Sequence, residues 1–303
     1  MPLVEHFARP PSWLLWILLY FFFAGLGGGA FVLGTLLRLW GARADQRLAR
    51  TAFLVALPCV LLCPVFLTVD LGQPLRFWHM LAFFAAASPM SVGAFALLLF
   101  GVFAFVAFLD ALHDTGRLDP FKPFAELLAG PLGAVFYVVG AIFGLFIAGY
   151  TGVLLSVSNQ PVWSDSWALG GLFLVSGMSG AAALLVLLGV RGRTTTETVE
   201  RLELADGWFA LIELILLIVF LTTVAVAGSL GQAFGRGWVL LWALAILSLL
   251  FPILASPTAG RVTTGTSAAM LARVARENAI ATAGIVLLGV LALRIAVLFS
   301  AQL

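Results

Sequence analysis

The chain has 303 residues, of which 62% are hydrophobic and only 10% are charged, and its mean hydropathy is +1.13. Soluble domains contain about 25% charged residues, so this composition excludes a soluble globular protein and predicts an integral membrane protein embedded in the lipid bilayer. The 16 basic and 14 acidic residues leave a net charge of only +2, which provides no strongly basic surface for nucleic acid.

Apolar segments of membrane length recur along the whole chain. A helix needs about 20 mostly apolar residues to cross the hydrocarbon core, and eight segments meet this requirement. The stretches between them are too short to form a separate domain. The sequence therefore predicts an all-α integral membrane bundle of eight transmembrane helices, a single membrane domain over residues 1–303, with spans at about 13–37, 51–69, 91–109, 132–155, 168–190, 208–227, 239–255 and 279–299.

The basic residues outside the spans are distributed unequally between the two sides of the predicted bundle. On the side of the termini there are three: Arg9, Arg76 and Arg236. The opposite side holds twelve: Arg38, Arg43, Arg47, Arg50, Arg117, Lys122, Arg191, Arg193, Arg201, Arg261, Arg273 and Arg276. Cytoplasmic loops carry an excess of lysine and arginine. Both termini are therefore predicted to be periplasmic.

Cysteine and histidine are too few and too scattered for a metal centre. Cys59 and Cys63 lie four residues apart in one apolar run, which predicts two small buried side chains on one helix face. His6, His79 and His113 lie outside the spans or at their ends, whereas a membrane b-type haem needs histidine ligands inside its helices. We therefore expect no haem, no iron–sulfur cluster and no zinc in this chain, so any electron transfer would use a diffusible organic carrier.

A polar segment follows the second predicted span. Asp70-Leu-Gly-Gln-Pro-Leu-Arg-Phe-Trp-His79 brings a carboxylate, a guanidinium and an imidazole together, beside the aromatic pair Phe77 and Trp78. Ionisable groups near a membrane are costly and mark functional candidates. Two interpretations remain open: a site of Asp70, Arg76 and His79 that exchanges protons or binds a headgroup, and an interfacial anchor with an Asp70–Arg76 ion pair.

A tyrosine and several polar residues mark the end of the fourth predicted span. Tyr150 comes shortly before Ser156, Ser158, Asn159 and Gln160. A phenol donates a hydrogen bond and stays neutral in apolar surroundings, which suits a quinone carbonyl. The alternative is an interfacial tyrosine without a ligand. Tyr20, in the first predicted span, lies on the same side of the membrane.

Two further ionisable residues fall inside predicted spans. Glu213 lies about one and a half turns into the sixth span, where it is either a station on a proton path or a side chain that snorkels to the interface. Arg294, near the periplasmic end of the last span, either pairs with Asp70 or snorkels. The sequence leaves both choices open.

Several motifs follow one another across most of the first 190 residues: Gly25-Leu-Gly-Gly-Gly-Ala30, Asp70-Leu-Gly-x-Pro-x-Arg-Phe-Trp78, Ser88-Pro-Met-Ser91, Gly149-Tyr-Thr-Gly-Val-Leu-Leu155 and Asn159-x-Pro-x-Trp163. In this order and spacing they resemble the motifs of the NrfD/polysulfide-reductase membrane-subunit family. The second half of the chain is similar to that family mainly in hydropathy.

The resemblance implies an eight-helix, quinone-reactive anchor of a multi-subunit respiratory oxidoreductase, which is not a complete enzyme by itself. Its quinone would be exchangeable menaquinone or ubiquinone. The implied partners are a periplasmic, four-cluster ferredoxin-like iron–sulfur subunit and either a molybdopterin catalytic subunit or a multihaem cytochrome. The implied location is the bacterial or archaeal cytoplasmic (inner) membrane, crossed several times.

The resemblance also implies particular site residues. The family's motif tyrosine at the end of span four contacts the quinone and matches Tyr150. The polysulfide reductase also uses an asparagine and a histidine in span one. The comparable stretch here is Trp16-Ile-Leu-Leu-Tyr20, in which Tyr20 replaces the histidine and the asparagine is missing. Asn159, in the next motif, is a further candidate contact.

These residues lead to a mechanistic hypothesis. We expect the quinone ring to lie near the periplasmic interface between spans one, two and four, with Tyr150 holding one oxygen. Asp70, helped by Arg76 or His79, would exchange protons with water. Electrons would leave for a cluster of the partner subunit.

The sequence leaves two other function classes open. A secondary transporter is one, although the sequence shows no clear inverted repeat and few charged groups at mid-membrane. The other is a membrane tether that holds partner subunits without any quinone chemistry.

Overall fold

The computed structural model describes residues 13, 15–113, 128–191, 196–254 and 268–302, and within these ranges the protein is helical with no strand. The α-helices are α1 (Leu15–Trp40), α2 (Gln46–Asp70), α3 (His79–Ala82), α4 (Pro89–His113), α5 (Pro131–Ser156), α6 (Leu169–Arg191), α7 (Thr196–Ala227), α8 (Leu230–Phe234), α9 (Val239–Leu254) and α10 (Ala268–Ser300). Among the residues singled out from the sequence, those outside the described ranges are His6, Arg9, Arg117, Lys122, Arg193 and Arg261.

Seven of the described helices are long and apolar enough to cross a membrane: α1, α2, α4, α5, α6, α7 and α10. The eighth predicted span, 239–255, corresponds to α9, an apolar helix of 16 residues. At about 1.5 Å per residue its described residues extend about 24 Å, whereas a hydrocarbon core is about 30 Å thick. The all-helical membrane class is confirmed, and the eighth span is present as a shorter apolar helix. The side on which the termini lie stays a prediction.

The long helices pack as two four-helix groups. In the first group α1 contacts α2, α2 contacts α4, α4 contacts α5, and α5 returns to α1. The second group closes in the same way through α6, α7, α9 and α10, and both α1 and α5 pack against α6. One cluster of buried apolar side chains runs from Ile17 to Ala301 through both groups. The two groups therefore share one apolar core.

Glycine in α1 lets neighbouring helices approach this central helix closely. A Cβ atom at Gly28 would lie 2.3 Å from the carbonyl oxygen of Gly144 in α5. A Cβ atom at Gly25 would lie 2.7 Å from a guanidinium nitrogen of Arg294 in α10. Small residues at helix contacts are a common means of close packing in membranes. The glycine-rich motif of the first span is therefore a packing surface.

Polar contacts join the two groups at the end of the bundle that carries residues 157–168, the segment between α5 and α6. The indole N–H of Trp163 donates to the carbonyl oxygen of Val297 at 2.7 Å, and Trp163 is completely buried. Asp165 accepts a hydrogen bond from the hydroxyl of Ser229, in the turn after α7. This segment therefore connects the first group to α7 and α10 of the second.

Buried carboxylates join helices at the opposite end of the bundle. Asp45, in the turn after α1, accepts a hydrogen bond from the Thr198 hydroxyl of α7 at 2.5 Å. Asp110 of α4 accepts one from the Tyr137 hydroxyl of α5 at 2.6 Å and forms an ion pair with Arg38 of α1 at 2.8 Å. Each of these contacts crosses between helices, so both ends of the bundle are held by polar bonds.

Candidate functional site

A cavity of about 630 Å³ lies between α4, α5 and α6, near the end of the bundle that carries residues 157–168. Its wall is mostly apolar and includes Val92, Phe146 and Leu174. Tyr150 and Trp167 are the lining residues that carry polar side-chain atoms. A concave site of about 300–1,000 Å³ with apolar walls and few polar groups is typical of small-molecule binding.

Tyr150 is held firmly at the wall of this cavity. Its hydroxyl donates a hydrogen bond to the carbonyl oxygen of Pro89, the first residue of α4, at 2.7 Å. Its ring stacks on Phe146, one turn earlier in α5, with 5.7 Å between the ring centroids. Tyr150 is largely buried by these contacts. Of the residues predicted for the quinone site, Tyr150 is the one that lines this cavity.

Tyr20 lies inside the protein rather than on the cavity wall. Its side chain is buried, and its electrostatic neighbours are Cys63 of α2 and Tyr150 of α5. The thiol of Cys63 is 4.0 Å from the Tyr20 carbonyl oxygen and 3.3 Å from that of Cys59. The packing of α1 between α2 and α5 therefore brings Tyr20 and Tyr150 into one region of the first helix group.

The polar segment after α2 lies outside the cavity. Asp70 is the last residue of α2 and is partly exposed, whereas Arg76, His79 and Asn159 are exposed. The His79 ring stacks on Trp78, with 3.7 Å between centroids, and its Nδ1 lies 3.2 Å from the Arg76 carbonyl oxygen. Asp70 and Arg76, both within the described residues, do not form an ion pair. None of these four polar residues lines the cavity that Tyr150 lines.

Arg294 of α10 is buried in the centre of the protein, with 0% of its surface exposed. Its guanidinium donates to the Ser176 hydroxyl at 3.0 Å and to the carbonyl oxygens of Phe21 and Phe173 at 3.3 Å each. It neither pairs with Asp70 nor extends to the interface. It connects α10 to α1 and α6 instead.

Glu213 of α7 is buried as well, and therefore does not snorkel. Ser176 and Arg294 are its electrostatic neighbours. Its Oε2 atom has no hydrogen-bond partner among the described residues. Two turns earlier in α7, the buried carboxylate of Asp206 accepts a hydrogen bond from Ser179 at 2.6 Å. A line of buried ionisable and hydroxyl groups therefore runs through the second helix group.

Sequence reasoning missed three residues of these sites. Pro89 lies in a motif to which the sequence assigns no role. Nothing in the sequence singles out Gly93 of α4, which lies directly against the Tyr150 ring. Asp206 is also missed, although its separation of seven residues from Glu213 places both on one face of a helix. That spacing is an available signal, whereas no sequence signal reports the contact of Tyr150 with Pro89.

The described residues contain no group of three or more histidine, cysteine, aspartate and glutamate side chains that could hold a metal ion. This observation leaves out the segments that the structure does not describe. The expected lack of haem, iron–sulfur cluster and zinc therefore stays a prediction.

Comparison with known proteins places the chain in a family. The family Polysulphide reductase, NrfD matches residues 4–303. The protein NrfD of Escherichia coli (strain K12) is 29% identical over 321 aligned positions, which cover 96% of each protein. A polysulfide reductase component of Wolinella succinogenes is 28% identical over 216 positions, 67% of each protein. A tetrathionate reductase component of Salmonella typhimurium (strain LT2) is 30% identical over 190 positions, 62% of this protein and 53% of that one.

The family match extends through both helix groups, including the second half of the chain, where the sequence motifs are weaker. The apolar helices of membrane length agree with it. The chain is a multi-pass membrane protein that belongs to the NrfD (polysulphide reductase) family.

Proposed function

We propose that this chain is the quinol-reactive membrane subunit of a respiratory reductase complex. The observation that carries the proposal is the apolar cavity of about 630 Å³ with the buried Tyr150 at its wall. Relatives named as parts of reductases support it. The membrane is the bacterial or archaeal cytoplasmic membrane, with both termini and the Tyr150 end of the bundle on the periplasmic side.

The position of the cavity suits a molecule that arrives through the lipid. Three of its lining residues lie on the outer face of α5 with large exposed fractions: Ile142, Phe146 and Val153. Apolar side chains exposed on a membrane helix face the acyl chains. A menaquinol or ubiquinol would therefore reach Tyr150 laterally from the bilayer while its tail remains in the lipid.

The reaction is the oxidation of a quinol to a quinone. Two O–H bonds break, two protons leave to water, and two electrons would leave one at a time to the iron–sulfur clusters of a periplasmic, four-cluster ferredoxin-like partner subunit. That partner delivers them to a molybdopterin subunit or a multihaem cytochrome. Within this chain, Tyr150 holds one ring oxygen. Asp70, with Arg76 and His79 beside it on the water side, exchanges protons with the periplasm.

Tyr150→Phe tests this function. We expect quinol-dependent turnover of the assembled complex to fall by at least about fivefold, the effect of losing one hydrogen bond of about 1 kcal/mol. The matched control is Tyr137→Phe, the same substitution at the other end of α5, where the hydroxyl bonds Asp110. Turnover should be retained in the control. Normal turnover in Tyr150→Phe, with assembly verified, would remove Tyr150 from the site.

Isolating the native complex separates the three function classes. A quinol-reactive subunit should retain quinone and an iron–sulfur partner. Partners without quinone would identify a tether, and an isolated protein that binds a solute would identify a transporter.

A further inference from the structure

The hydrogen bond between Tyr150 and Pro89 assigns a direction to the tyrosine hydroxyl. A carbonyl oxygen can only accept, so the Tyr150 hydroxyl donates its single proton to Pro89 across 2.7 Å. The lone pairs of the hydroxyl oxygen remain available, and they can only accept. In this arrangement, Tyr150 is a hydrogen-bond acceptor toward any molecule in the cavity.

Gly93 makes this hydrogen bond possible. Pro89 and Gly93 lie four residues apart in α4, which places them one turn apart on the same helix face. A Cβ atom at position 93 would lie 2.2 Å from Cζ of Tyr150 and 2.3 Å from its hydroxyl oxygen. No such contact is tolerated between unbonded atoms, so a side chain here would push the ring away from the Pro89 carbonyl. Gly93 is therefore a positioning residue.

Hydrogen bonds in the turn before α4 fix the position of the Pro89 carbonyl. The Ser91 hydroxyl accepts a hydrogen bond from the backbone N–H of Ala85 at 2.9 Å. The Ser88 hydroxyl accepts one from the N–H of Ser91 at 3.4 Å. These two serines begin and end the Ser88-Pro-Met-Ser91 motif, so the motif orients the carbonyl that Tyr150 bonds.

The two redox forms of the ligand differ in what they can offer such a site. Quinone oxygens only accept hydrogen bonds, whereas the hydroxyls of a quinol both donate and accept. A quinol can donate to the Tyr150 oxygen and accept from the indole N–H of Trp167, the other polar side chain of the cavity wall. A quinone can accept a hydrogen bond only from the Trp167 indole, unless the Tyr150 hydroxyl stops donating to the Pro89 carbonyl oxygen.

We propose that Pro89 and Gly93 hold Tyr150 as a hydrogen-bond acceptor, so that the cavity binds a quinol more tightly than the corresponding quinone. The proposal rests on the proposed function and adds the redox state that the site prefers. It also gives a reason for product release, because the quinone has no O–H left to donate to Tyr150.

Binding measurements on the purified native complex test the preference without turnover. The probe is menadione, a naphthoquinone without a tail, applied oxidised or fully reduced with dithionite under anaerobic conditions in equilibrium dialysis. We expect the reduced form to bind about fivefold more tightly, the effect of one hydrogen bond of about 1 kcal/mol. Equal binding, or tighter binding of the oxidised form, overturns the proposal.

Gly93→Ala should bring the ratio of the two dissociation constants close to one, because the new methyl group separates Tyr150 from Pro89. The matched control is Gly101→Ala, two turns later in α4, where the nearest atom to the new Cβ is Cγ1 of Val60 at 3.9 Å. The ratio of the two dissociation constants in Gly101→Ala should equal that of the unmodified complex. An unchanged ratio in Gly93→Ala overturns the positioning role.

Tyr150→Phe provides the same test if Gly93→Ala does not assemble. Loss of the hydroxyl should equalise the two dissociation constants, and a preserved preference for the reduced form overturns the proposal. Failure of the proposed function has a different signature. In that case the unmodified complex binds neither form, and its turnover does not depend on Tyr150.

Discussion

Arg294 illustrates, at the scale of single residues, that a charge in a membrane helix can be satisfied without reaching water. Its guanidinium donates to the Ser176 hydroxyl and to backbone carbonyls of α1 and α6, and Glu213 lies nearby. Burying a charge is costly unless it is paired and hydrogen-bonded. These partners meet that requirement inside the protein, so the side chain has no reason to extend to the interface.

Asp70→Asn tests the proposed role of Asp70 in exchanging protons with the periplasm. The carboxylate lies outside the cavity, at the last residue of α2, and is partly exposed. We expect turnover to fall about tenfold, because the amide cannot exchange protons; this is less than the roughly 10²–10⁴-fold contribution of an acid–base group in contact with the substrate, since Asp70 lies outside the cavity.

The measurement is quinol-dependent turnover of the assembled complex over a range of pH. A matched control is Asn159→Asp, which places a carboxylate at an exposed position of the same end. Normal turnover of Asp70→Asn at every pH would exclude Asp70 from the reaction.

At the scale of helices, the fold depends on how closely α1 approaches its neighbours. α1 contacts α2, α5, α6 and α10, and its glycines lie at the points of nearest approach. Lipid tails are as apolar as leucine, so helix association in membranes relies on close packing rather than on the hydrophobic effect. A helix with large side chains at these positions could not occupy the same place.

Gly28→Ala tests this dependence. The added methyl carbon would lie 2.3 Å from the carbonyl oxygen of Gly144, so α1 and α5 must separate. We expect a destabilisation of about 1–3 kcal/mol, as for other overpacked cores. The measurement is the thermal unfolding midpoint of the purified protein in detergent.

The control for this substitution is Gly284→Ala in α10, where a Cβ would meet nothing within 4 Å. Alanine favours a helix more than glycine by up to about 1 kcal/mol. The control should therefore be neutral or stabilising. Equal midpoints for the two variants would contradict the packing role of Gly28.

At the scale of the whole molecule, two four-helix groups divide the polar chemistry between them. The first group contains Tyr20, and its α4 and α5 form the cavity wall with α6. The second group contains the buried line of Asp206, Glu213 and Arg294. Helix α1 of the first group joins it to the second, because α1 packs against α6 and the carbonyl oxygen of its Phe21 accepts a hydrogen bond from Arg294.

Orientation in the membrane belongs to this scale, because it depends on all the loops together. Alkaline phosphatase fused after Leu303 should be active if the C-terminus is periplasmic, since the enzyme needs an oxidising compartment for its disulfides. The same reporter placed in the turn 41–45 should be inactive. The opposite pattern would reverse the orientation inferred from the basic residues.

Much of this architecture was predictable, because it depends on local composition. The spans follow from apolar runs: seven correspond to described helices of membrane length, and the eighth corresponds to α9, an apolar helix of 16 described residues. The family followed from short motifs. Tyr150 could be predicted as a candidate because its motif is contiguous in the sequence. The residues that contact Tyr150 in the folded protein could not be predicted, since Pro89 is 61 positions away in the sequence and belongs to another helix.

The sequence by itself determined that this chain is a helical membrane protein of the NrfD family, because hydropathy and contiguous motifs are properties of short segments. Only the tertiary structure decided which polar groups meet. Arg294 bonds Ser176, 118 positions earlier in the chain, and Tyr150 donates to Pro89 because Gly93 leaves room for its ring. Such contacts depend on which helix faces pack together and how closely, and periodicity along one helix does not contain that information.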